Sequence, residues 1–516
     1  MSAPLGGAGG DELLAAGGLD ASIVKADDAT VALRIAASGW EVLAWAPAAG
    51  ALPAGLGGEA TEANGGRLLI GPADRDNALA LRTLIPWLRP RLVGLGTSFG
   101  TGDRLGLATP GHVAAFRANE GIAPVLAQQS ARELGRTGRS FRDVLDGATF
   151  GALASGWREG YGADADHLKT LADVDAGIAA GFTMFTADPI DLVPHLPADA
   201  PESAIERALS AVPWPALEDD LASFEARYPE RLELDSGPLE LPRGALRAAA
   251  ARFGAAVVQI ATMYRHLAAA RESGSFEFEI AVDEVVHRTT PVDHVYLATE
   301  LQRLAVRWVS FAPRFVGRFE KGIDYLGDRA AFAADVALHA AIARRLGPYK
   351  LSVHSGSDKF SIYAEVAAGT RGSVHLKTSG TSYLVALQTI AAVDPELMRR
   401  IWRAALEAYA TARASYHVSA ALPRVPAPEA LSAVELAGLF EEPDTREILH
   451  VTYGTVLHDE RASGDEAATA EATLGNDVRR AIWEDRDAYW LRLTEHIARH
   501  LMPFADVSNG SSKGEA

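Results

Sequence analysis

The sequence predicts a (β/α)₈ barrel, an α/β fold in which eight parallel strands alternate with helices. Three observations support this prediction. Eight short strand-like runs follow one another along the 516-residue chain, helical periodicity separates most of them, and nearly every run ends in polar or ionisable residues. Because barrels of this kind carry their chemistry at the carboxyl ends of the strands, the pattern indicates an enzyme.

The eight runs place the barrel at about residues 91–385. With one exception, the stretch between two successive runs has room for one helix and two loops. Helix-start patterns support this phasing, since Thr290 followed by Pro291 and Asp293 has the residues of a capped first turn, and Asp328 can cap the next helix. The runs are Leu92–Gly100, Pro124–Ser130, Tyr161–Lys169, Phe182–Pro189, Phe276–Glu284, Val306–Arg314, Lys350–Asp358 and Ser373–Gly380.

The exception lies between the fourth and fifth runs, where a helical insertion is predicted over residues 190–275. Its helical segments are Glu202–Ala211, Trp214–Tyr228 and Arg243–Ser273. Because the insertion follows a strand, it begins on the catalytic side of the barrel. We therefore expect a candidate lid or a second domain here.

Three further parts are predicted outside the barrel. Residues 1–90 predict a small N-terminal α/β element, with poor order over the first 20 residues and strand-like pieces at Thr30–Ile35, Trp40–Ala46 and Arg67–Ile70. Residues 386–505 have helical periodicity and predict a C-terminal extension. Residues 506–516, rich in Ser, Gly and charge, predict a disordered tail.

Composition excludes several kinds of protein. The chain has no cysteine, which excludes disulfides, thiolate metal sites and a cysteine nucleophile. Its formal charge of −18 argues against a nucleic-acid binder, because phosphate neutralisation needs a basic surface. The N-terminal stretch lacks the features of a signal peptide and no long apolar run could span a bilayer, so we expect a cytoplasmic protein without membrane contact.

Candidate metal ligands follow from strand alternation, which points every second side chain toward the barrel axis. In two neighbouring runs the inward positions include His354, His375 and Lys377, and a third histidine, His167, ends another run. A single inward histidine is more often a hydrogen-bonded core residue. Three of them near strand ends favour a ligand set that a carboxylate would complete, for a divalent ion such as Zn, Mn, Co or Ni.

Candidate acids and bases lie at two strand ends. Asp166 precedes His167 directly and could serve as a base beside a metal ligand, although a turn followed by a helix cap would use the same residues. Asp283 and Glu284 end the fifth run and suit acid–base work or metal binding. Glu320, on the loop after the sixth strand, is a further candidate at the mouth, and a solvated glutamate paired with Arg318 or Lys321 is the alternative.

Candidate substrate contacts come from polar residues near the strand ends. The loops after the seventh and eighth strands are rich in Ser and Gly, and in such barrels they commonly hold an anion. Tight turns would use the same residue types. The candidates are Ser98, Gln129, Arg314, Ser357, Lys359, His375 and Lys377.

Two further sequence features could indicate a nicotinamide cofactor or a covalent mechanism. The stretch GLGTSFGTG begins like a dinucleotide fingerprint, but Gly94, Gly96 and Gly100 have the wrong spacing, which argues against a nicotinamide site. Lys377 could form a Schiff base with a carbonyl substrate.

Several long blocks of the sequence resemble the tagaturonate epimerase family. The resemblance runs from about residue 92 to 385 and continues into the helical extension. The blocks are LGTSFGTGDRLGLATPGH, AQQSARE, GADADHLKT, VDE, PRFVGRFEKGIDYLGD, LSVHSGSDKFSIY and HLKTSGTSYL.

The resemblance implies a metal-dependent isomerase of hexuronate breakdown that interconverts D-tagaturonate and D-fructuronate. Matched residue by residue, it implies Asp166 and Glu284 as catalytic acids and His167 and His354 as metal ligands. The last ligand is Glu320, with His375 as the competitor. Neutral ketohexoses are possible further substrates, and a homo-oligomer through the extension is a possible assembly.

The reaction itself limits the mechanism. The inverted carbinol is β to the ketone, so its C–H is not acidic and deprotonation at carbon cannot epimerise it. The remaining routes are retro-aldol cleavage with re-addition and transient oxidation by a nicotinamide. Because the sequence lacks a dinucleotide site, it favours retro-aldol cleavage with re-addition. The alternative functions are a metal-dependent aldolase or ketose isomerase acting on a sugar acid or sugar phosphate, and a sugar sensor without catalysis.

Overall fold

The computed structural model of the protein describes residues 8–197, 200–458 and 473–511. Within these ranges eight parallel strands close into a barrel surrounded by helices, which confirms the predicted fold class. The strands are β1 Val24–Ala26, β2 Ala29–Ala36, β3 Gly39–Pro47, β4 Glu59–Ala63, β5 Gly66–Pro72, β6 Ser98–Gly102, β7 Ala123–Ser130, β8 Gly162–Leu168, β9 Met184–Ala187, β10 Arg231–Leu234, β11 Gly237–Glu240, β12 Glu277–Val282, β13 Ser310–Pro313, β14 Lys350–Val353 and β15 Val374–Thr378.

Helices cover the barrel and form most of the remaining parts of the chain. They are α1 Ala8–Ala15, α2 Arg75–Leu84, α3 Thr109–Arg117, α4 Ala131–Thr137, α5 Phe141–Ala154, α6 Leu171–Ala180, α7 Glu202–Ser210, α8 Leu221–Arg227, α9 Arg243–Ala270, α10 Pro291–Arg303, α11 Arg329–Leu346, α12 Tyr363–Thr370, α13 Thr381–Val393, α14 Pro395–Ala412, α15 Ala433–Gly438, α16 Pro443–Val451, α17 Tyr453–Leu457, α18 Leu474–Glu484 and α19 Arg486–Ser511. None of the helices in the described ranges is long and apolar enough to cross a membrane.

The barrel closes in the order β12, β13, β14, β15, β6, β7, β8, β9, and β9 pairs with β12. Its helix starts follow the predicted capping chemistry. At the start of α10 the hydroxyl of Thr290 accepts from the main-chain N–H of Asp293, and the carboxylate of Asp293 accepts from the main-chain N–H of Thr290. The carboxylate of Asp328 caps α11, as predicted. The side chains of the barrel strands that point outward are apolar and buried beneath the helices, as are those of Leu351, Val353 and Leu376.

The first barrel strand differs from its prediction. The expected strand began at Leu92, whereas β6 begins at Ser98. The main-chain N–H groups of Val93 and Gly94 donate to the carboxylate of Glu277, and Lys350 Nζ donates to the carbonyls of Gly94 and Gly96. This segment therefore closes the bottom of the barrel instead of pairing as a strand.

The N-terminal element is an antiparallel sheet in the order β1, β2, β3, β5, β4 with α1 and α2. The predicted pieces at 30–35, 40–46 and 67–70 lie in β2, β3 and β5, whereas β1 and β4 were not predicted. Helix α1 lies in the segment that was expected to be poorly ordered. It is ordered because its Leu13 is fully buried against the sheet. Residues 1–7 lie outside the described residues.

The insertion between β9 and β12 packs on the outside of the barrel. Phe224 of α8 contacts Tyr296 of α10, and Asp235 in the β10–β11 turn pairs with Arg344 at the end of α11. Among the described residues of the insertion, Ile190 and Asp191 reach the cavity at the barrel mouth. The helical part is thus an outer layer, and the expectation of a lid is wrong for it.

The C-terminal extension is helical as expected and returns to the barrel. Helix α19 packs against α3, α12 and α13. It continues through Ser511, beyond the start of the tail expected from residue 506, and residues 512–516 lie outside the described residues.

Candidate active site

The carboxyl ends of the barrel strands bring acids, bases and cations to one mouth. Adjacent strands supply them, so residues far apart in sequence become neighbours. The side chains concerned are Gln128, Asp166, His167, Asp188, Asp283, Glu284, His354 and Lys377.

Asp166 and His167 both face the mouth because β8 turns sharply at its end. The register between β8 and β9 shifts between Ala165 and Leu168, and His167 has a φ of 50°. A left-handed conformation is costly for a residue other than glycine and is found at functional sites. The Nδ1 atom of His167 lies 2.9 Å from Oδ2 of Asp188, and its Nε2 lies 3.9 Å from Oδ1 of Asp166.

His354 follows β14 directly and faces His167. Their ring centroids are 5.0 Å apart. The Nε2 atom of His354 lies 2.8 Å from Oε1 of Glu279 on β12. Its Nδ1 lies 3.1 Å from Oδ1 of Asp283, in a close contact that is not aligned as a hydrogen bond.

The surrounding carboxylates favour the protonated form of both rings. Burial alone would lower the two pKa values. Asp166, together with the hydrogen bond that His167 donates to Asp188, raises the pKa of His167 to about 10, and Asp283 raises that of His354 to about 9. The mouth therefore concentrates positive charge between carboxylates.

Lys377 lies just below this pair and is buried. Its Nζ atom lies 2.7 Å from Asp164 Oδ2, 2.7 Å from Asp166 Oδ1 and 2.5 Å from Glu279 Oε1. These carboxylates raise the pKa of Lys377 well above its usual value, against the effect of burial. In turn, burial would raise the pKa of Asp166, but His167 and Lys377 lower it, so Asp166 is an ionised carboxylate.

Glu284 lies on the other side of His167 and is held by Arg132. The Arg132 guanidinium forms a two-pronged ion pair with it, at 2.8 and 3.2 Å. Burial would raise the pKa of Glu284, but His167 and Arg132 lower it. Two groups of side chains have possible ligand atoms that all lie within 4.8 Å of one another and include His167. Asp166 belongs to one group and Glu284 to the other. The two acids thus flank His167.

A cavity of about 510 Å³ opens above these residues, within the usual range for small-molecule sites. Glu284, Arg314 and His354 line its floor, and Lys321 lines its side. Residues 415–419 of the C-terminal extension form the opposite wall, with Tyr416 also bordering the inner pocket that leads to Asp166 and Lys377. The extension therefore helps to build the site.

Two of the predicted substrate contacts lie deeper in the barrel. Ser98 Oγ lies 2.8 Å from Nδ1 of His375, and Lys350 Nζ donates to the same hydroxyl at 2.7 Å. Burial lowers the pKa of His375 to about 3, so this histidine is neutral. The structure does not bring Ser98 or His375 to the mouth, and His375 is not placed as a metal ligand there.

The other predicted contacts have mixed placements. Gln129 donates to Glu133, whereas its neighbour Gln128 donates to Asp166 Oδ2 at 3.4 Å. Lys359 Nζ donates to the carbonyls of Ser357, Glu320 and Ile323, so Ser357 and Lys359 brace a loop.

Arg314 keeps its predicted place on the cavity. Its guanidinium donates to the carbonyl of Val285, and burial lowers its pKa although Asp283 and Glu284 oppose this effect. The partly buried guanidinium is therefore available to an anion in the cavity.

Glu320 lines the cavity but lies apart from the histidines. Its carboxylate accepts from the main-chain N–H of Ser419 at 3.0 Å and pairs with Arg318 at 3.2 Å. Among the described residues, it belongs to none of the groups with ligand atoms close enough to share an ion. The structure thus does not join Glu320 to His167 and His354.

Several residues of the mouth were missed by the sequence reasoning. Asp188 is the second-last residue of the fourth run, and strand alternation in FEFEIAVDE points Glu279 inward, so both could have been found. Arg132, in the first turn of α4, and Lys321, whose Nζ donates to Ser355 Oγ at 2.7 Å, reach the mouth from outside the strands. No strand pattern indicates them.

The donor set fits a divalent metal ion. Each histidine uses one ring nitrogen for a carboxylate, Asp188 or Glu279, and turns the other toward Asp166 or Asp283. Metal-binding histidines are oriented in this way in proteins. The two raised histidine pKa values show that the carboxylates favour added positive charge here.

Comparisons with known proteins agree on one family. The model of the tagaturonate epimerase family matches residues 48–503. The tagaturonate/fructuronate epimerase of Thermotoga maritima is 40% identical over 431 residues, which are 83% of this chain and 85% of that protein. The crystal structure of the native fructuronate-tagaturonate epimerase of Cohnella laeviribosi is 34% identical with a TM-score of 0.85, covering 96% of this chain and 98% of that one. Its complex with two glycerol molecules gives 35% identity and a TM-score of 0.86 over the same shares.

Proposed function

Because the chain belongs to the tagaturonate epimerase family and is an epimerase of the tagaturonate/fructuronate type, we propose that its barrel mouth interconverts the two hexuronates. In this proposal the reaction uses a divalent metal ion and proceeds by retro-aldol cleavage and re-addition. The observation that carries the proposal is the pair His167 and His354. Each ring has one nitrogen fixed by a carboxylate and the other turned into the mouth between two acids.

We assign His167 and His354 as metal ligands. We take Asp283 as the third ligand because its Oδ1 lies 3.1 Å from the inward nitrogen of His354. Among the described residues, neither Asp283 nor Glu320 belongs to a group whose ligand atoms lie close to those of both histidines. A bound divalent ion would act as a Lewis acid that polarises the ketone and its adjacent hydroxyl.

Asp166 is the base of the first step. Its ionised carboxylate accepts the proton of the hydroxyl on the carbon to be inverted. That carbinol becomes an aldehyde, the bond to the neighbouring carbon breaks, and its electron pair passes to the ketone half as an enediolate. The aldehyde rotates, the enediolate carbon attacks its other face, and the carbon–carbon bond forms again with inverted configuration.

Glu284 returns a proton to the new alkoxide from the other side of His167. This role requires a protonated carboxyl, whereas His167 and Arg132 keep Glu284 ionised in the structure. A substrate carboxylate beside Arg132 would compete for its guanidinium and raise the pKa of Glu284. Substrate binding would thus prepare the proton donor.

The substrate carboxylate has cations to meet it. Arg132, Arg314 and Lys321 border the connected cavities next to Glu284. An arginine fork matches a carboxylate with two parallel hydrogen bonds. These residues favour a sugar acid over a neutral ketohexose.

NMR of the chelator-stripped protein with D-fructuronate tests the proposal. We expect D-tagaturonate to form only after Mn²⁺, Zn²⁺, Co²⁺ or Ni²⁺ is added, and no deuterium to enter the inverted carbon in D₂O. Substrate deuterated at that carbon should react at nearly the normal rate, because a retro-aldol step leaves its C–H bond intact.

Each part of the proposal has its own contrary result. Equal turnover without metal would refute the metal role. A severalfold slowing with the deuterated substrate would indicate transient oxidation instead of carbon–carbon cleavage. The absence of interconversion with every metal would overturn the function.

A further inference from the structure

A second cavity, of about 450 Å³, lies at the opposite end of the barrel. Gly181 and Thr183, which precede β9, line it together with Pro90, which precedes β6. It therefore lies beneath the strands, away from the mouth where the proposed chemistry takes place. Four arginines border it: Arg82, Arg89, Arg142 and Arg271. We call it the arginine cavity.

The charge of the arginine cavity is opposite to that of the protein. The chain has 67 acidic against 49 basic residues. Among the described residues that line this cavity, however, all four charged ones are arginines. A local concentration of guanidinium groups attracts anions even in an acidic protein.

Three of the four guanidinium groups form no ion pair with a carboxylate of the described residues. Arg82 pairs with Asp146 at 2.7 Å, whereas Arg89, Arg142 and Arg271 have no described carboxylate within 4.0 Å. Arg89 donates to the carbonyls of Arg82 and Thr83, and Arg271 donates to Phe182 and Ser275. These three guanidinium groups thus form no ion pair with a described carboxylate, although Arg142 is near enough to Asp146 to oppose the rise that burial causes in the pKa of that carboxyl.

Helix capping explains part of this arrangement but leaves donors unused. Arg89 covers the last carbonyls of α2, and Arg142 donates to the carbonyl of Ala179 at the end of α6. A guanidinium has five N–H donors, and Arg142 uses one of them in this contact. Capping therefore does not account for the convergence of several arginines on one cavity.

The cavity also has an apolar wall. Leu79, Leu145 and Ile178 line it, and Leu79 is 51% exposed. An exposed leucine beside guanidinium groups suits a ligand with an anionic group and an apolar part. Several arginines around one anion favour phosphate, because its oxygens accept from more than one fork.

We propose that the arginine cavity binds a phosphate-bearing small molecule, with Arg142 and Arg271 on the phosphate and Leu79 and Ile178 on the apolar part. This site is separate from the epimerase site, so its occupation is not required for the reaction.

Titration calorimetry with phenyl phosphate on the full-length, metal-loaded protein tests this site. Benzoate is the probe for a carboxylate on the same ring, and phenol is the neutral probe. The test variant is R142Q/R271Q, and the control is R344Q, a surface arginine of α11 that pairs with Asp235. Epimerase turnover of R142Q/R271Q should equal that of the wild type and shows that the barrel is intact.

We expect one molecule of phenyl phosphate to bind per chain, more tightly than benzoate, with affinity that falls as salt is added. R142Q/R271Q should lose about tenfold or more in affinity, since a hydrogen bond to a charged group is removed at each position. R344Q should bind as the wild type does. If the double variant does not fold, R142Q alone, which loses one main-chain contact, should show the same direction.

Three results would overturn the proposal. The first is the absence of saturable binding of phenyl phosphate. The second is an unchanged affinity in R142Q/R271Q, which would place the anion at the cationic mouth. The third is benzoate that binds at least as tightly as phenyl phosphate.

Discussion

The Nζ atom of Lys377 lies 2.7 Å from Oδ1 of Asp166, so a buried cation holds the carboxylate that we propose as the base. The same atom contacts Asp164 and Glu279, and Glu279 in turn holds His354. One lysine therefore connects the proposed base to a proposed metal ligand.

Replacement of Lys377 by methionine should reduce both stability and activity. The change leaves three buried carboxylates without their cation, and breaking a buried ion pair costs about 3–5 kcal/mol. Urea unfolding should show this loss. K350M is the matched control, because Lys350 is equally buried but contacts a hydroxyl and carbonyls lower in the barrel. A K377M enzyme with the turnover of K350M would refute the link to Asp166.

The variants D166N and E284Q should each lose turnover by roughly 10²–10⁴-fold, the usual contribution of a general acid or base. Both replacements keep the size of the side chain, so the loss should fall on kcat more than on stability. Steady-state rates with D-fructuronate and D-tagaturonate measure it. Substantial activity in both variants would remove these residues from the proposed roles.

Arg132 should control the protonation of Glu284. In R132Q the pKa of Glu284 rises because its cationic partner is absent, so the ionised form is lost at higher pH. Because Glu284 must be protonated to donate, the alkaline limb of the kcat/KM profile should move to higher pH, and KM for the hexuronate should increase. R136Q is the control on the same helix, since Arg136 contacts Ser415 and Tyr416. An identical profile in R132Q and R136Q would contradict the prediction.

Asp188 should govern metal affinity through His167. In D188N the ring loses the carboxylate that fixes its Nδ1 atom, and losing such a partner of a metal-binding histidine costs about 10–100-fold in metal affinity. Metal titration of the chelator-stripped variant measures this loss. D191N is the control, because Asp191 lies three residues away and pairs with the partly exposed Lys169. Equal losses in the two variants would mean that Asp188 does not act through His167.

Lys350 should make stability depend on pH in the alkaline range. Burial lowers its pKa from 10.5 to about 8, so between these values the unfolded chain binds more protons than the folded one. Stability therefore rises with pH over this window, by up to about 3 kcal/mol for this group. Denaturant unfolding of the wild type and K350M from pH 7.5 to 10 should show a rise that the variant lacks. Parallel curves would show that the lysine keeps its ordinary pKa.

Strand patterning predicted the barrel well because each run must bury one face and end near the mouth. Inward histidines such as His354 follow from alternation alone. The pairing of Ser98 with His375 was not predictable, because alternation gives the face of a residue but not its depth along the axis. The placement of Glu320 was not predictable either, since it depends on Ser419, a contact distant in sequence.

The contribution of residues 415–419 to the cavity has a consequence for synthesis. The last barrel strand, β15, ends at Thr378, so a ribosome completes the barrel before it makes this wall. A nascent chain at that stage contains Asp166, His167 and His354 but not this wall of the cavity. We therefore expect turnover to require that the C-terminal extension has been translated and has folded back onto the barrel, and a chain that stops after β15 to be inactive although it contains all the proposed catalytic residues.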